Sequence, residues 1–293
     1  MTVFDDSGRL DASASASLAE RLVELGVAAV IVAGSTGEAK TLSPEERDQL
    51  LRAVRGVIPQ GSAMPVLAGT SAASTEEAVY LTKRARECGA DGFLVLSPPG
   101  SDDLVEYYGQ VAHIAAGLPV LAYHYPVASS PGIRVDQLAD LAIDGLKDTS
   151  GDPERLLMTR FEWDGLLYTG SSALLTMAGS IGCAGAILTS ANAMPEICIA
   201  AFDGDGEAQV RLIKNHLAVI RDFPAEIKLL TSERFGTSRF ARLRQGRRRG
   251  RRPWIAIGCG PRSHWGEIAR DGVRMQSSHD RRIAPEWVHR LEW

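Results

Sequence analysis

Residues 145–153 read Gly145-Leu146-Lys147-Asp148-Thr149-Ser150-Gly151-Asp152-Pro153. A short apolar run passes through small hydroxyl and glycine residues to an Asp-Pro pair, which has the form of a helix N-cap followed by proline at the first helical position. The same unit recurs along residues 28–191. Its apolar runs are Ala28–Ala33, Pro65–Ala68, Gly92–Leu96, Pro119–Tyr123, Gly145–Lys147, Leu166–Tyr168 and Gly185–Leu188. They are too short for helices and apolar on both faces, as buried parallel strands are.

Helix signals fill the gaps. Ser43-Pro44-Glu45-Glu46 combines an N-cap, a first-turn proline and the glutamate of a capping box. Ser74-Thr75-Glu76-Glu77 repeats the box, and Ala78, Leu81, Ala85 and Cys88 then share one face. Alternation of strand and helix predicts an α/β fold with a parallel sheet. An open doubly wound sheet would carry a Gly-rich phosphate fingerprint after its first strand, and no GxGxxG or GxxxxGKS/T occurs. A (β/α)8 TIM barrel is the remaining expectation, with residues 1–205 as the catalytic barrel. That barrel needs eight strands and only seven runs exist. Before the helix at about residues 12–25 only Met1–Phe4 is left, so strand 1 is expected to be truncated or to begin upstream of Met1. Pro195–Phe202, Glu207–Ile220 and Ala225–Glu233 read as helices, of which residues 206–235 form a C-terminal helical extension.

Beyond residue 235 the pattern fails. The formal net charge of −4 conceals two compositions: residues 1–233 hold 17 Lys+Arg against 31 Asp+Glu, while the last 60 hold 15 Arg, no Lys and 5 acidic residues. Four of the five tryptophans lie in those 60 as well, and Gly246–Pro253 is GRRRGRRP. Residues 236–293 are therefore expected to be irregular. A frame shift near residue 238 explains them better than an evolved basic extension that binds nucleic acid, since no nucleic-acid-reading module or interleaved aromatics accompany the arginines.

Composition excludes several classes. No run of about 18 apolar residues can span a bilayer, and the start lacks a signal peptide's basic and apolar regions. Four scattered cysteines, with no CxxC pair and no histidine at ligand spacing, argue against disulfide scaffolding and against a metal site, and make a reducing cytoplasm the expected compartment.

In a barrel, function gathers where strands end. Those ends carry Ser35 and Thr36, Thr70 and Ser71, Ser97, Tyr123 and His124, Lys147 and Asp148, Ser171 and Ser172, Thr189 and Ser190. Lys147 is one of only five lysines. Within a buried strand a lysine bears a large desolvation cost unless it is neutral, paired or covalently used. Two readings stand: an amine nucleophile that forms a Schiff base with a carbonyl, or a rim lysine paired with Asp148. Tyr123 ends the preceding strand, so its phenol could pass protons in the same cavity. Gly34-Ser35-Thr36-Gly37-Glu38 forms a tight turn whose successive backbone N–H groups could hold a carboxylate, with the Thr36 hydroxyl relaying protons to Tyr123.

In this order and on these strands, GSTGE at 34–38, YHYP at 123–126 and KDTSG at 147–151 resemble the dihydrodipicolinate synthase / N-acetylneuraminate lyase family of Schiff-base class I aldolases, over about residues 2–235. The resemblance implies a metal-independent, cofactor-free lyase acting on pyruvate or another 2-oxo acid, with an aldehyde as second reactant in carbon–carbon bond making or breaking. It places imine formation at Lys147, acid/base work at Tyr123 and Thr36, and substrate binding at Ser35, Thr36 and Ile187. It also implies a homo-oligomer. Three departures bear on the substrate. Ala128 stands where dihydrodipicolinate synthases carry a carboxylate-binding arginine, Pro98-Pro99-Gly100 replaces an aromatic pair that reaches a neighbouring subunit, and His124 replaces an asparagine. Tyr107 and Tyr108 are expected only to pack, His124 to support by hydrogen bonding, and Arg134 to sit on the surface. The alternatives are an imine-dependent dehydratase of a sugar acid and an inactive barrel whose basic tail binds nucleic acid or a partner.

Overall fold

A computed structural model of the chain describes residues 1–100 and 103–243. The arginine-rich run at 246–253, and with it the expectations for residues 244–293, lies outside the described residues.

Seven parallel strands follow one another in chain order: β1 Val30–Val32, β2 Val66–Gly69, β3 Gly92–Leu96, β4 Val120–His124, β5 Gly145–Asp148, β6 Leu166–Thr169 and β7 Gly185–Ala186. Helices alternate with them: α1 Ala12–Glu24 before the sheet, then α2 Pro44–Val57, α3 Thr75–Glu87, α4 Leu104–Ala115, α5 Pro153–Glu162 and α6 Leu175–Ser180. Helices α7 Pro195–Phe202, α8 Gly206–Arg221 and α9 Ala225–Phe235 follow the last strand. This is the strand-helix order of a (β/α)8 barrel with seven strands among the described residues. Residues 1–10 form no strand; Phe4 makes one isolated antiparallel bridge to Leu10. The shortfall of one strand is therefore observed, and β1 and β7 stand at the two ends of the sheet.

The helix starts follow the capping chemistry. Ser43 accepts the Glu46 N–H at 3.2 Å while its own N–H donates to Glu46 Oε2 at 3.0 Å. Ser74 caps α3 through the Glu77 N–H, and Asp152 accepts from Glu154 and Arg155. One connection differs from the repeating unit. Between β4 and β5 the helical element is a 3-10 helix, Val135–Asp140.

Strand residues divide between two cores with period 2. Ala68, Phe93, Val95, Ala122, Leu146 and Leu167 face the helices, where Leu51, Val54, Tyr108 and Leu156 meet them. Leu67, Leu94, Leu121, Tyr123 and Tyr168 face the sheet's inner side. Tyr107 and Tyr108 are packing residues, as expected. Both are buried, and their hydroxyls donate to the carbonyls of Leu96 and Val95 at 3.1 and 3.0 Å.

Candidate active site

Parallel register places Tyr123, Lys147 and Tyr168 side by side across β4, β5 and β6. All three point to the inner face, near the strands' carboxyl ends. The Lys147 ammonium lies 4.2 Å from the centroid of the Tyr123 ring, within range of a cation–π attraction that fixes its position. Tyr125 stacks on Tyr123 with centroids 5.8 Å apart and planes 9° apart. Burial, and then Tyr123, pushes the Tyr125 phenol up.

Lys147 opens onto a cavity of about 190 Å³ whose lining also includes Ser35, Thr36, Ile187, Leu94 and Tyr168. Residues of β1 and of β7 both contribute to this wall. The expected binding residues thus share one cavity with the lysine, and Tyr123 meets them through its contact with Lys147.

Asp148 is not the partner of Lys147. Successive strand residues point to opposite faces, and the Asp148 carboxylate lies on the helix side. There it accepts from Arg155 Nε at 2.8 Å, the Ser150 N–H at 2.8 Å and the Ser150 hydroxyl at 2.6 Å. Of the two readings of Lys147, the rim ion pair is excluded. Among the described residues no carboxylate is within ion-pair distance of Lys147.

His124 shares that outer face. Its Nδ1 accepts the Ile133 N–H at 2.9 Å, so the ring is neutral with its proton on Nε2. Burial and the nearby Arg155 push its pKa down to about 4, against the opposing pull of Asp148. It supports the loop rather than facing the cavity. Gly132 has φ +81°, and a Cβ there would stand 2.6 Å from His124 Nδ1, so glycine is needed for this contact. Arg134 is exposed and pairs with Asp136 at the surface.

The Gly34–Glu38 turn closes on itself through Gly37 N–H and Ala39 N–H to the Gly34 carbonyl and Glu38 N–H to the Ser35 carbonyl. These bonds leave the Ser35 and Thr36 N–H groups outside the turn's own pairing. Gly37 packs so closely that a Cβ would lie 2.8 Å from Thr2 Oγ1. The Thr36 hydroxyl bonds to the Thr189 hydroxyl at 2.8 Å. The expected direct link from Thr36 to Tyr123 is not formed; Thr36 is tied to the end of β7 instead. Two contributors escaped sequence reasoning as site residues, Tyr168 and Tyr125, while Thr189 was noted at a strand end without a role. Tyr168 was signalled by closing a strand one register step from Lys147, and Tyr125 by its place beside Tyr123 in YHYP.

The chain is similar to proteins of one family. The model of the dihydrodipicolinate synthetase family matches residues 1–230. A 4-hydroxy-tetrahydrodipicolinate synthase from Synechococcus sp. (strain CC9605) is 37% identical over 239 residues, covering 77% of this chain and 78% of the relative. An uncharacterised DapA-like lyase from Halobacterium salinarum is 32% identical, covering 78% and 77%. Among solved structures, the dihydrodipicolinate synthase of Cyanidioschyzon merolae with lysine bound superposes with a TM-score of 0.72 at 28% identity, covering 78% of this chain and 84% of that one. The Escherichia coli K12 prophage protein YagE, in complex with pyruvate, gives 0.72 at 27% identity over 82% and 88%. A parallel sheet carrying one inward lysine under a tyrosine, with a family match over most of the described chain, leads to one conclusion: this protein belongs to the dihydrodipicolinate synthetase family of lyases.

Proposed function

We propose that the protein forms a Schiff base between Lys147 and pyruvate or a related 2-oxo acid and uses it to make or break a carbon–carbon bond. The observation that carries this reading is Lys147 itself: inward, without a carboxylate partner, against the Tyr123 ring and open to a cavity. The Ser35 and Thr36 N–H groups would hold the substrate carboxylate. The Lys147 nitrogen attacks the keto carbon, and Tyr123 supplies the proton with which the oxygen leaves as water. The resulting imine takes up the electron pair left when a proton leaves the neighbouring carbon, giving an enamine that adds to an aldehyde. Cleavage is the same path reversed. Thr36, held by Thr189, contributes its hydroxyl at the carboxylate end, and Ile187 lines the wall.

The second reactant is an aldehyde without a carboxylate at the place an arginine would bind, because Ala128 offers no charge there. The three buried thiols among the described residues fit a reducing cytoplasm, and we read the working form as a homo-oligomer.

Exchange of pyruvate methyl protons in deuterated water tests the imine and enamine steps without knowledge of the second substrate. The protein should accelerate exchange, and Lys147→Met should return it to the background rate. Exchange no faster than background in the folded full-length chain would refute the proposal.

A further inference from the structure

A fully buried lysine is joined to the substrate turn. Lys228, on α9, and Glu38, the last residue of GSTGE, are both completely buried, with Nζ 2.6 Å from Glu38 Oε1. The same ammonium donates to the Phe240 carbonyl at 2.7 Å and the Thr2 carbonyl at 3.2 Å, which uses its three protons. The other carboxylate oxygen, Oε2, accepts the Leu243 N–H at 2.6 Å. Glu38 itself sits at φ 56°, a left-handed backbone that a non-glycine residue keeps only when its surroundings hold it.

Residues 240–243 form the outer strap of this cluster. Arg242 donates to the carbonyls of Gly8 and Thr41 at 2.7 and 2.9 Å and grips Glu46 with two nitrogens, at 2.8 and 2.5 Å. The Phe4 ring lies between two cations, with Lys228 Nζ 4.3 Å and the Arg242 guanidinium 4.2 Å from its centroid. One connected set of charges therefore ties the N-terminal loop, the substrate turn, the start of α2 and the end of the described chain together. It is not needed to close the turn, whose backbone bonds are complete without it.

We infer that Glu38, Lys228 and the strap Phe240–Leu243 are positioning residues for substrate-carboxylate binding: they fix the turn whose Ser35 and Thr36 line the cavity that Lys147 opens onto. This rests on the imine reading above. A buried, paired carboxylate two residues beyond Thr36 cannot shift without breaking an ion pair in a low-dielectric setting. The turn is thereby held in place on the wall of the cavity it shares with Lys147. On the opposite side Thr36 is held by Thr189, so the turn is fixed at both ends.

The test is borohydride trapping of the full-length protein at graded pyruvate concentrations, read as the adduct fraction by intact mass. Glu38→Gln keeps the shape and removes the charge; it should raise half-saturation about tenfold while the limiting trapping rate changes less than about twofold. Arg242→Ala, on the more accessible strap, should raise it about threefold in a fold that persists even if Glu38→Gln does not fold. Unchanged half-saturation in either folded variant, whatever its melting temperature, overturns the positioning role. No adduct in the unmutated protein at any concentration defeats the imine reading itself, and the inference with it.

Discussion

Two lysines, Lys228 fully buried and Lys147 half-buried, are used in opposite ways. Lys228 is fully enclosed and spends its three protons on Glu38 and two backbone carbonyls. Lys147 faces a cavity and touches the face of an aromatic ring, with no carboxylate in reach among the described residues. An enclosed ammonium must be fully paired to offset its desolvation, and one so paired has no lone pair to offer a carbonyl. A lysine that opens to a cavity leaves its nitrogen within reach of a carbonyl. The difference lies in the neighbourhood, since both side chains sit in well-packed regular elements.

The sharpest way to break this contrast is to exchange what each lysine does. Lys147→Met should abolish imine formation, lowering turnover by at least about three orders of magnitude, and leave the melting temperature nearly unchanged, since no ion pair is lost. Measuring both quantities on one variant separates reactivity from stability. Next in size, Tyr123→Phe keeps the ring under the Lys147 ammonium and removes the acidic proton. Its expected cost is about 10²- to 10⁴-fold in kcat, with trapping by borohydride slowed but still on Lys147. Equal activity in this variant would assign the proton transfer elsewhere.

On the other side of the comparison, Lys228→Met strands the Glu38 carboxylate in the interior and should destabilise the fold by about 3–5 kcal/mol. Adding Glu38→Gln should recover most of that, by chemical denaturation. A double variant no more stable than the single one would show that the pair is not the source of the cost.

The smallest of the four effects concerns His124. Its proton is disfavoured in the fold, with the pKa moved from 6.5 to about 4. The unfolded chain therefore binds a proton that the folded chain does not, between those values. Stability is fully present above pH 6.5 and falls as the pH drops towards 4, by up to about 3 kcal/mol. Denaturation midpoints of the unmutated protein and of His124→Asn, measured across that window, should converge at low pH. Parallel curves would show that another group titrates.

Much of the fold was legible because its signals are local. Short runs apolar on both faces marked the seven strands, and Ser43, Ser74 and Asp152 announced the helices they cap. The strand shortfall came from counting. The 3-10 helix at Val135–Asp140 was not legible, because no capping residue of the kind that opens α2, α3 and α5 precedes it and Arg134 stands at its N-cap. Within the site, Lys147, Tyr123, Ser35 and Thr36 could be named because each ends a strand or lies in the turn that follows one, and Ile187 only because the family resemblance implied it. The choice between a paired and a reactive Lys147 could not be made from spacing alone. Arg155, on the next helix, draws Asp148 to the outer face. The Thr36–Thr189 and Glu38–Lys228 contacts join residues 153 and 190 positions apart, for which no local pattern exists.

Residue-level mapping of the trapped imine tests the central claim most directly. The full-length protein is treated with pyruvate and borohydride, digested, and each of its five lysines is examined for a pyruvate-derived mass. The account predicts the adduct on Lys147 and none on Lys228. A folded protein that yields no adduct, or one whose adduct sits on another lysine while Lys147 stays free, would contradict it.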